Sequence, residues 1–322
     1  MTVGALCLLT LTGCSVDMMR PAGPAAARIA TLAWVLFGLG GAVFVGVVGL
    51  LIAGLVLRRH GEEQERPLRF TIPFVTWGGV ALPAVTVLFL MSFTVYTLAH
   101  LTEPLEQEQD LVVDVIGQMW WWEVSYPQYD FVTATEIHIP AGQPVTIRLA
   151  SADVIHSFWV PRLHGKQDLM PGTVTDWWIQ ADEPGVYEGH CAEFCGLQHT
   201  HMHFVVVAEE VDAFNAWVQS QQQPAAEPES EEAARGQEIF MNSACVGCHT
   251  IRGTQAAGTI GPDLTHMGSR LEIGAGALAN TRGNMAAWVV DAQHIKPGNA
   301  MPAMPMPGDD LMALVTYLET LE

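Results

Sequence analysis

H-C-A-E-F-C-G-L-Q-H-T-H-M-H, running from His190 to His203, places Cys191 and Cys195 four residues apart, His199 four further on and Met202 three after that. Thiolate, imidazole and thioether are soft donors that suit copper. Two thiolates at this spacing, in a loop opened by Gly196, can bridge two metal ions side by side. His156, in D-V-I-H-S-F-W-V-P, supplies a further imidazole, so that His156 and His199 would each cap one ion. Met202 offers a weak axial thioether on one side, and the Glu193 carbonyl an oxygen on the other. Zinc is the main rival because it also takes cysteine and histidine; the downstream methionine favours copper.

Outward from this loop the chain reads as short strands. Residues 111–116, 136–139 and 145–149 carry β-branched side chains in partial alternation, with A-G-Q-P as a turn. Further strands are expected over 154–160, 173–180 and 204–208. Strands at this spacing, with no helix between them, predict an all-β sandwich over 110–218, its ligand loop lying between the last two strands.

Ahead of the strands come two long uncharged runs, 29–57 and 70–99, each longer than the ~20 residues that cross a bilayer. Half of all residues are hydrophobic, and the mean hydropathy of +0.25 agrees with a membrane anchor. Between the runs lies R-R-H-G-E-E-Q-E-R-P-L-R, with Arg58, Arg59, Arg66 and Arg69 near the membrane ends; the positive-inside rule puts this loop in the cytoplasm. The expectation is a transmembrane hairpin over 14–109, with everything after His100 outside the cytoplasm. Residues 1–13 are apolar, contain Cys7, and lead through L-T-G to Cys14. They resemble a bacterial lipoprotein signal whose cysteine is lipidated.

Beyond the strands, residues 219–232 are polar, acidic and proline-containing, and are expected to form a flexible linker. A helical pattern from Ala233 then leads to C-V-G-C-H at 245–249, the attachment signature of a c-type haem. Cys245 and Cys248 would form the thioethers and His249 the proximal iron bond. Zinc is the other chemistry open to this motif; the export topology and the helical context favour haem. The second axial ligand is expected to be a methionine, which raises the iron's potential. Met301, Met304 and Met306 are the candidates. A helix over 309–321 should pack on the first one, giving an all-α domain over 233–322.

The hairpin, G-Q-M-W-W-W, D-V-I-H-S-F-W-V-P, G-K-Q-D-L-M-P-G and Y-E-G-H-C-A-E-F-C-G-L-Q-H-T-H-M together resemble subunit II of the haem-copper oxidases, over nearly all of the chain. The resemblance implies a multi-domain membrane protein with a cupredoxin-like sandwich and a fused cytochrome c domain. In the sandwich it implies the binuclear copper centre CuA, held by His156, Cys191, Glu193 through its carbonyl, Cys195, His199 and Met202. It further implies that the Glu193 carboxylate reaches a magnesium ion at the subunit I boundary, and that electrons arrive through Trp120. In fused haem domains the pattern K-P-G-x-x-M-P selects Met301, and Gly261-Pro262-Asp263-Leu264 resembles the haem-edge loop.

The implied activity is that of a terminal cytochrome c oxidase. A donor such as cytochrome c or a cytochrome bc complex would reduce the haem, CuA would follow, and subunit I would reduce oxygen to water and pump protons. Subunit III is a further expected partner, and the bacterial inner membrane, with the soluble domains on its periplasmic face, the expected location. A copper-containing nitric oxide reductase and a membrane-tethered copper carrier are the alternatives. The fused haem and the G-K-x-D-x-x-P-G segment favour the oxidase, and quinol-oxidising relatives lack the copper ligands. In one respect the chain departs from its family: no acid lies between Phe70 and Trp77, where many members carry a glutamate that serves proton uptake.

Several prominent residues are expected to be structural. His190, His201 and His203 flank the ligands without joining them, His138 and His164 should lie on strand or loop surfaces, and Trp121 and Trp122 should pack. From His100 to Glu322 there are 8 basic and 30 acidic residues, a balance that excludes nucleic acid as a partner and suits basic proteins. Two acidic domains do not attract each other, so the haem domain is expected to dock through apolar edges or stay mobile on its linker.

Overall fold

The computed structural model describes residues 18–58, 68–102 and 111–322. The leader with Cys7 and Cys14, and Arg59, Arg66 and the acids Glu62, Glu63 and Glu65, lie outside the described residues. The chain forms two compact units, one of residues 27–110 and one that combines the N-terminal residues through Ala26 with Leu111–Glu322.

The first unit is helical. Helix α1, Pro24–Arg58, is apolar on every face. Helices α2, Leu68–Thr76, and α3, Leu82–Leu101, are joined by a π-helical turn at Trp77–Ala81, with Pro73 inside α2. Their large apolar side chains, Phe44 and Leu88 among them, are exposed rather than packed. Helices that are hydrophobic all round and uncovered by protein suit a lipid environment. The apolar stretches Pro24–Leu57 and Thr71–Leu101 are each long enough to span a bilayer. The first starts five residues ahead of the run expected from composition and ends with it, and the second starts one residue inside its run and ends two beyond it.

The second unit opens with a strap. Ala22 donates to the Arg162 carbonyl and its own carbonyl accepts from Asp182 N–H, while Ala26 N–H donates to Leu163. The chain therefore leaves this unit at Ala26 and returns to it at Leu111.

The sandwich has two five-stranded sheets. The first runs in the order β3 (Phe131–Ala134), β2 (Trp121–Tyr126), β1 (Val112–Gln118), β5 (Val145–Ser151), β8 (Thr175–Ile179). The second runs β4 (Glu136–Pro140), β10 (His203–Glu209), β9 (Gly185–Cys191), β6 (His156–Trp159), β7 (Gln167–Leu169). Alternation along β1 sends Val113 and Val115 inward, where they meet Trp122, Ile147, Phe158 and Phe204. Trp122 is wholly buried, with its ring 5.1 Å from that of Phe204. Composition alone did not mark β2, β3, β7 and β9; β2 hides within the aromatic W-W-W-E-V-S-Y, whose period-2 pattern separates Trp122 from Trp121.

The linker differs from its expectation. Helix α4, Val211–Gln221, takes its first residues, and helix α5, Glu231–Met241, capped by Ser230, takes its last. Between them the Gln223 carbonyl meets the His266 ring at 3.1 Å, Ala225 N–H donates to Arg252, and Arg252 Nη2 donates to the Gln221 carbonyl. Carbonyls and amides with protein partners hold this segment down.

In the last domain, α5 packs on helix α7, Gly308–Glu319, through Phe240 and Tyr317, while helix α6, Arg282–Ile295, covers a shared core with Met285 and Val289. The domain is helical except for a short hairpin of β11, Glu272–Ile273, and β12, Leu278–Ala279. That hairpin lies against the sandwich. His203 N–H donates to Ala275, and Leu271 N–H donates to the buried Glu136 carboxylate. Polar bonds, in which buried charge meets defined partners, thus add to the apolar contacts between the two domains.

Candidate copper and haem sites

The soft donors converge where β9 ends and β10 begins. Cys191 closes β9, His156 opens the adjacent strand β6, and the remaining donors lie on the loop between. The two Sγ atoms are 3.7 Å apart. On one side, His156 Nδ1 is 3.8 Å and the Glu193 carbonyl oxygen 3.3 Å from Cys191 Sγ. On the other, His199 Nδ1 is 3.7 Å and Met202 Sδ 3.8 Å from Cys195 Sγ. Metal–thiolate bonds of ~2.3 Å span such a sulphur pair, and the donor set is the one copper prefers. Gly196 makes the loop possible: its φ is +111°, and a Cβ there would stand 3.2 Å from the Trp120 ring.

The electrostatics suit cations. The Cys195 thiol, hydrogen-bonded to Cys191, is the largest influence pulling the Cys191 thiol well below its ordinary value, with burial opposing and the His156 ring assisting. That same contact pushes Cys195 up, because two thiolates so close together cannot both ionise unaided. Metal charge is what would release the second proton.

Asp153 fixes the histidine. Its carboxylate lies 2.7 Å from His156 Nε2, so Nε2 carries the proton and Nδ1 presents its lone pair to the sulphurs. The other oxygen of Asp153 accepts from Met119 N–H at 2.7 Å, tying the segment before Trp120 to the same ligand. Trp120 is 9% exposed, and its indole N–H donates to the Cys195 carbonyl at 2.9 Å. The Glu193 carboxylate points elsewhere, 3.3 Å from Lys166 Nζ, with Asp168 on the same ammonium.

The other histidines make separate bonds. His190 and His203 meet edge to face across β9 and β10, and His201 Nδ1 lies 2.8 Å from Gln198 Oε1. His138 is on β4 but mostly covered, stacked 4.0 Å from the Trp217 ring beside Glu136 and Glu209. His164 is not on the surface: it is 2% exposed, between the rings of Trp177 and Trp178.

A cavity lies beside this site, between the two soluble domains. Cys245, Cys248, His249, Met301 and Met304 line it from the helical domain, and Trp120 and Trp121 from the sandwich. Met306 packs into the helical core instead. The His249 Nδ1–H donates to the Pro262 carbonyl at 2.8 Å, which leaves Nε2 for an iron. Burial lowers the His249 pKa and keeps the ring neutral. Gly261 permits the approach, because a Cβ there would fall 2.6 Å from the ring. Arg270 also lines the cavity, and its buried Nε has no partner among the described residues. A porphyrin acid group would satisfy it, so the residues fit a haem.

Trp121, Asp153 and Arg270 were not marked as site residues by sequence. Asp153, three residues ahead of His156 in D-V-I-H, carried a local signal; the other two are brought to the cavity by long-range packing.

Residues 131–209 match the family profile described as cytochrome c oxidase subunit II, periplasmic domain, and residues 233–322 match that of cytochrome c. Cytochrome c oxidase subunit 2 of Alkalihalophilus pseudofirmus is 35% identical over 327 residues, covering 98% of this chain and 94% of the relative. That of Bacillus subtilis is 31% identical over 77% of this chain and 74% of its own length. The crystal structure of the periplasmic domain of cytochrome oxidase subunit II from Bradyrhizobium japonicum is 26% identical, with a TM-score of 0.35, over 36% of this chain and 96% of that one.

Proposed function

The chain belongs to the cytochrome c oxidase subunit II family, and we propose that it carries electrons singly from its own c-type haem, by way of Trp120, to a binuclear CuA centre and on to subunit I. Its place as the membrane-anchored, cytochrome c-bearing subunit II of a haem-copper oxidase is the ground from which this route extends. The observation that carries the route is the position of Trp120, which lines the haem cavity and donates to the carbonyl of Cys195.

In this reading Cys191, Cys195, His156, His199, Met202 and the Glu193 carbonyl would hold the copper pair. When bound, the copper pair supplies a one-electron acceptor. The chain's own work is to hold its donors rigidly, so that little rearrangement accompanies transfer. Asp153 holds the His156 ring, and β6 and β9 hold His156 and Cys191 in register. On the haem side, Cys245 and Cys248 would attach the porphyrin, and His249 and Met301 would hold its iron.

A basic cytochrome c or a cytochrome bc complex is the donor that the acidic surface suits. Subunit I, with subunit III beside it, carries out oxygen reduction coupled to proton pumping, and a magnesium ion at that boundary would have to draw the Glu193 carboxylate away from Lys166. The soluble domains face the periplasm of a bacterial inner membrane.

Metal and haem analysis of the purified complex, with low-temperature EPR, tests the reading. It expects a multi-line mixed-valence copper signal beside one c-type haem. Absence of that copper signal from a copper-replete complex would remove the route. Oxygen consumption, without nitric oxide consumption, is the expected turnover.

A further inference from the structure

One cation in this acidic molecule stands apart. Lys296 is 2% exposed, and its Nζ lies 2.7 Å from the Trp120 carbonyl, 2.5 Å from that of His201 and 2.7 Å from that of Gly274. Three carbonyls only accept, and an ammonium is the lysine form with three donors to match them. Trp120 and His201 belong to the sandwich, and Gly274 to the haem-domain hairpin. The next residues extend the contact. The Pro297 carbonyl accepts from Gln198 Nε2 at 2.7 Å, and Gly298 lies against Leu197 and the Trp120 ring.

Two features give this contact a direction. Lys296 heads the loop that carries Met301 into the haem cavity, so one short segment touches both sites. Trp120 is held at both ends, its carbonyl by Lys296 and its indole N–H by the Cys195 carbonyl.

We infer that Lys296 is a positioning residue for electron transfer between the two sites, clamping the Met301 loop onto Trp120 and the copper-ligand loop. The inference rests on the proposed route from haem to copper. In that route one electron leaves the haem iron, which passes from Fe(II) to Fe(III), and the copper pair is reduced by the same electron; no bond or proton is exchanged. Lys296 lines the edge of the haem cavity, but its ammonium is turned to the three carbonyls. It fixes the protein between the two sites.

The test uses the whole oxidase complex and a Lys296→Met variant. Hydrogen exchange is read at the two amides that cross the contact, His203 and Leu271. Both should be protected in the wild type and exchange faster in the variant. Rapid-mixing absorbance then separates two rates. Haem reduction by a small-molecule donor should be unchanged, whereas haem-to-copper transfer should slow about tenfold or more, as small misplacements of reacting partners do. The haem and copper spectra should be retained. Unchanged exchange, or an unchanged haem-to-copper rate, would overturn the inference.

If the variant fails to assemble, the wild type still decides. A clamped pair transfers electrons at a rate independent of glycerol viscosity, and a rate that falls in proportion to viscosity would overturn the clamp. A complex without a copper signal would instead sink the underlying route, while the exchange measurement still reads the clamp.

Discussion

The copper and haem sites lie side by side, yet the chain builds them in opposite ways. The sulphur site is assembled from protein alone: six donor groups lie within 3.8 Å of one sulphur or the other, on one loop and one neighbouring strand. The haem site is a hollow whose walls come from the CxxCH turn, the Met301 loop and the face of another domain. One site is preorganised for its metal; the other is completed by its cofactor. Donors of the first are therefore individually indispensable, while the second should tolerate change except at the atoms that bond iron.

The harshest way to break this comparison is Cys191→Ser. It should abolish the mixed-valence copper signature in optical and EPR spectra and leave the haem bands intact; a surviving copper signal would remove Cys191 from the ligand set. Next in size is Met301→Leu, which should lower the haem midpoint potential by about 0.1 V or more, within the roughly 0.8 V range that axial ligands command. Met304→Leu, on the same cavity wall, should leave it unchanged in redox titration. If the two variants behave alike, the iron does not use Met301.

Asp153→Asn probes the support rather than the ligand. Copper affinity should fall about 10–100-fold, as losing the partner of a metal-bound histidine does. Competition with a copper chelator measures it, with haem content as the internal control.

The smallest effect concerns His138, away from both sites. Burial lowers its pKa, but the carboxylates of Glu136 and Glu209 outweigh that and the net shift is upward. A raised histidine contributes stability that is full below its unfolded value of ~6.5 and is lost as pH rises through the folded one. Exchange protection of α4, whose Trp217 stacks on His138, should therefore decline from pH 6 to pH 8 after correction for intrinsic rates. His138→Gln should remove the decline.

The same contrast explains what could be seen in the sequence. The proposed copper donors at 191, 193, 195, 199 and 202 are neighbours along the chain, so spacing together with the family resemblance pointed to them; only His156 had to be brought from elsewhere. The membrane runs and the CxxCH turn were equally local. What stayed hidden were residues that matter through partners far away in sequence. His164 is shielded by two tryptophans on β8, and Trp121 reaches the haem cavity only because another domain folds against it. Charge counting predicted that the haem domain would dock through apolar edges or stay mobile on its linker. It could not show that the few cations are spent at the contact, with Lys296 under three carbonyls and Arg270 Nη2 on Thr133 of the sandwich.

The segment between α4 and α5 has a kinetic consequence. A short flexible connection holds its two ends at an effective concentration in the mM range, and this one is further restrained by His266 and Arg252. On the proposed route the haem would never have to find the copper site by diffusion. That step would be first order, insensitive to how much donor protein the cell makes. Supply and encounter govern only the preceding event, the meeting of an external reductant with the haem domain, and there the oxidase can be throttled without altering its own internal wiring.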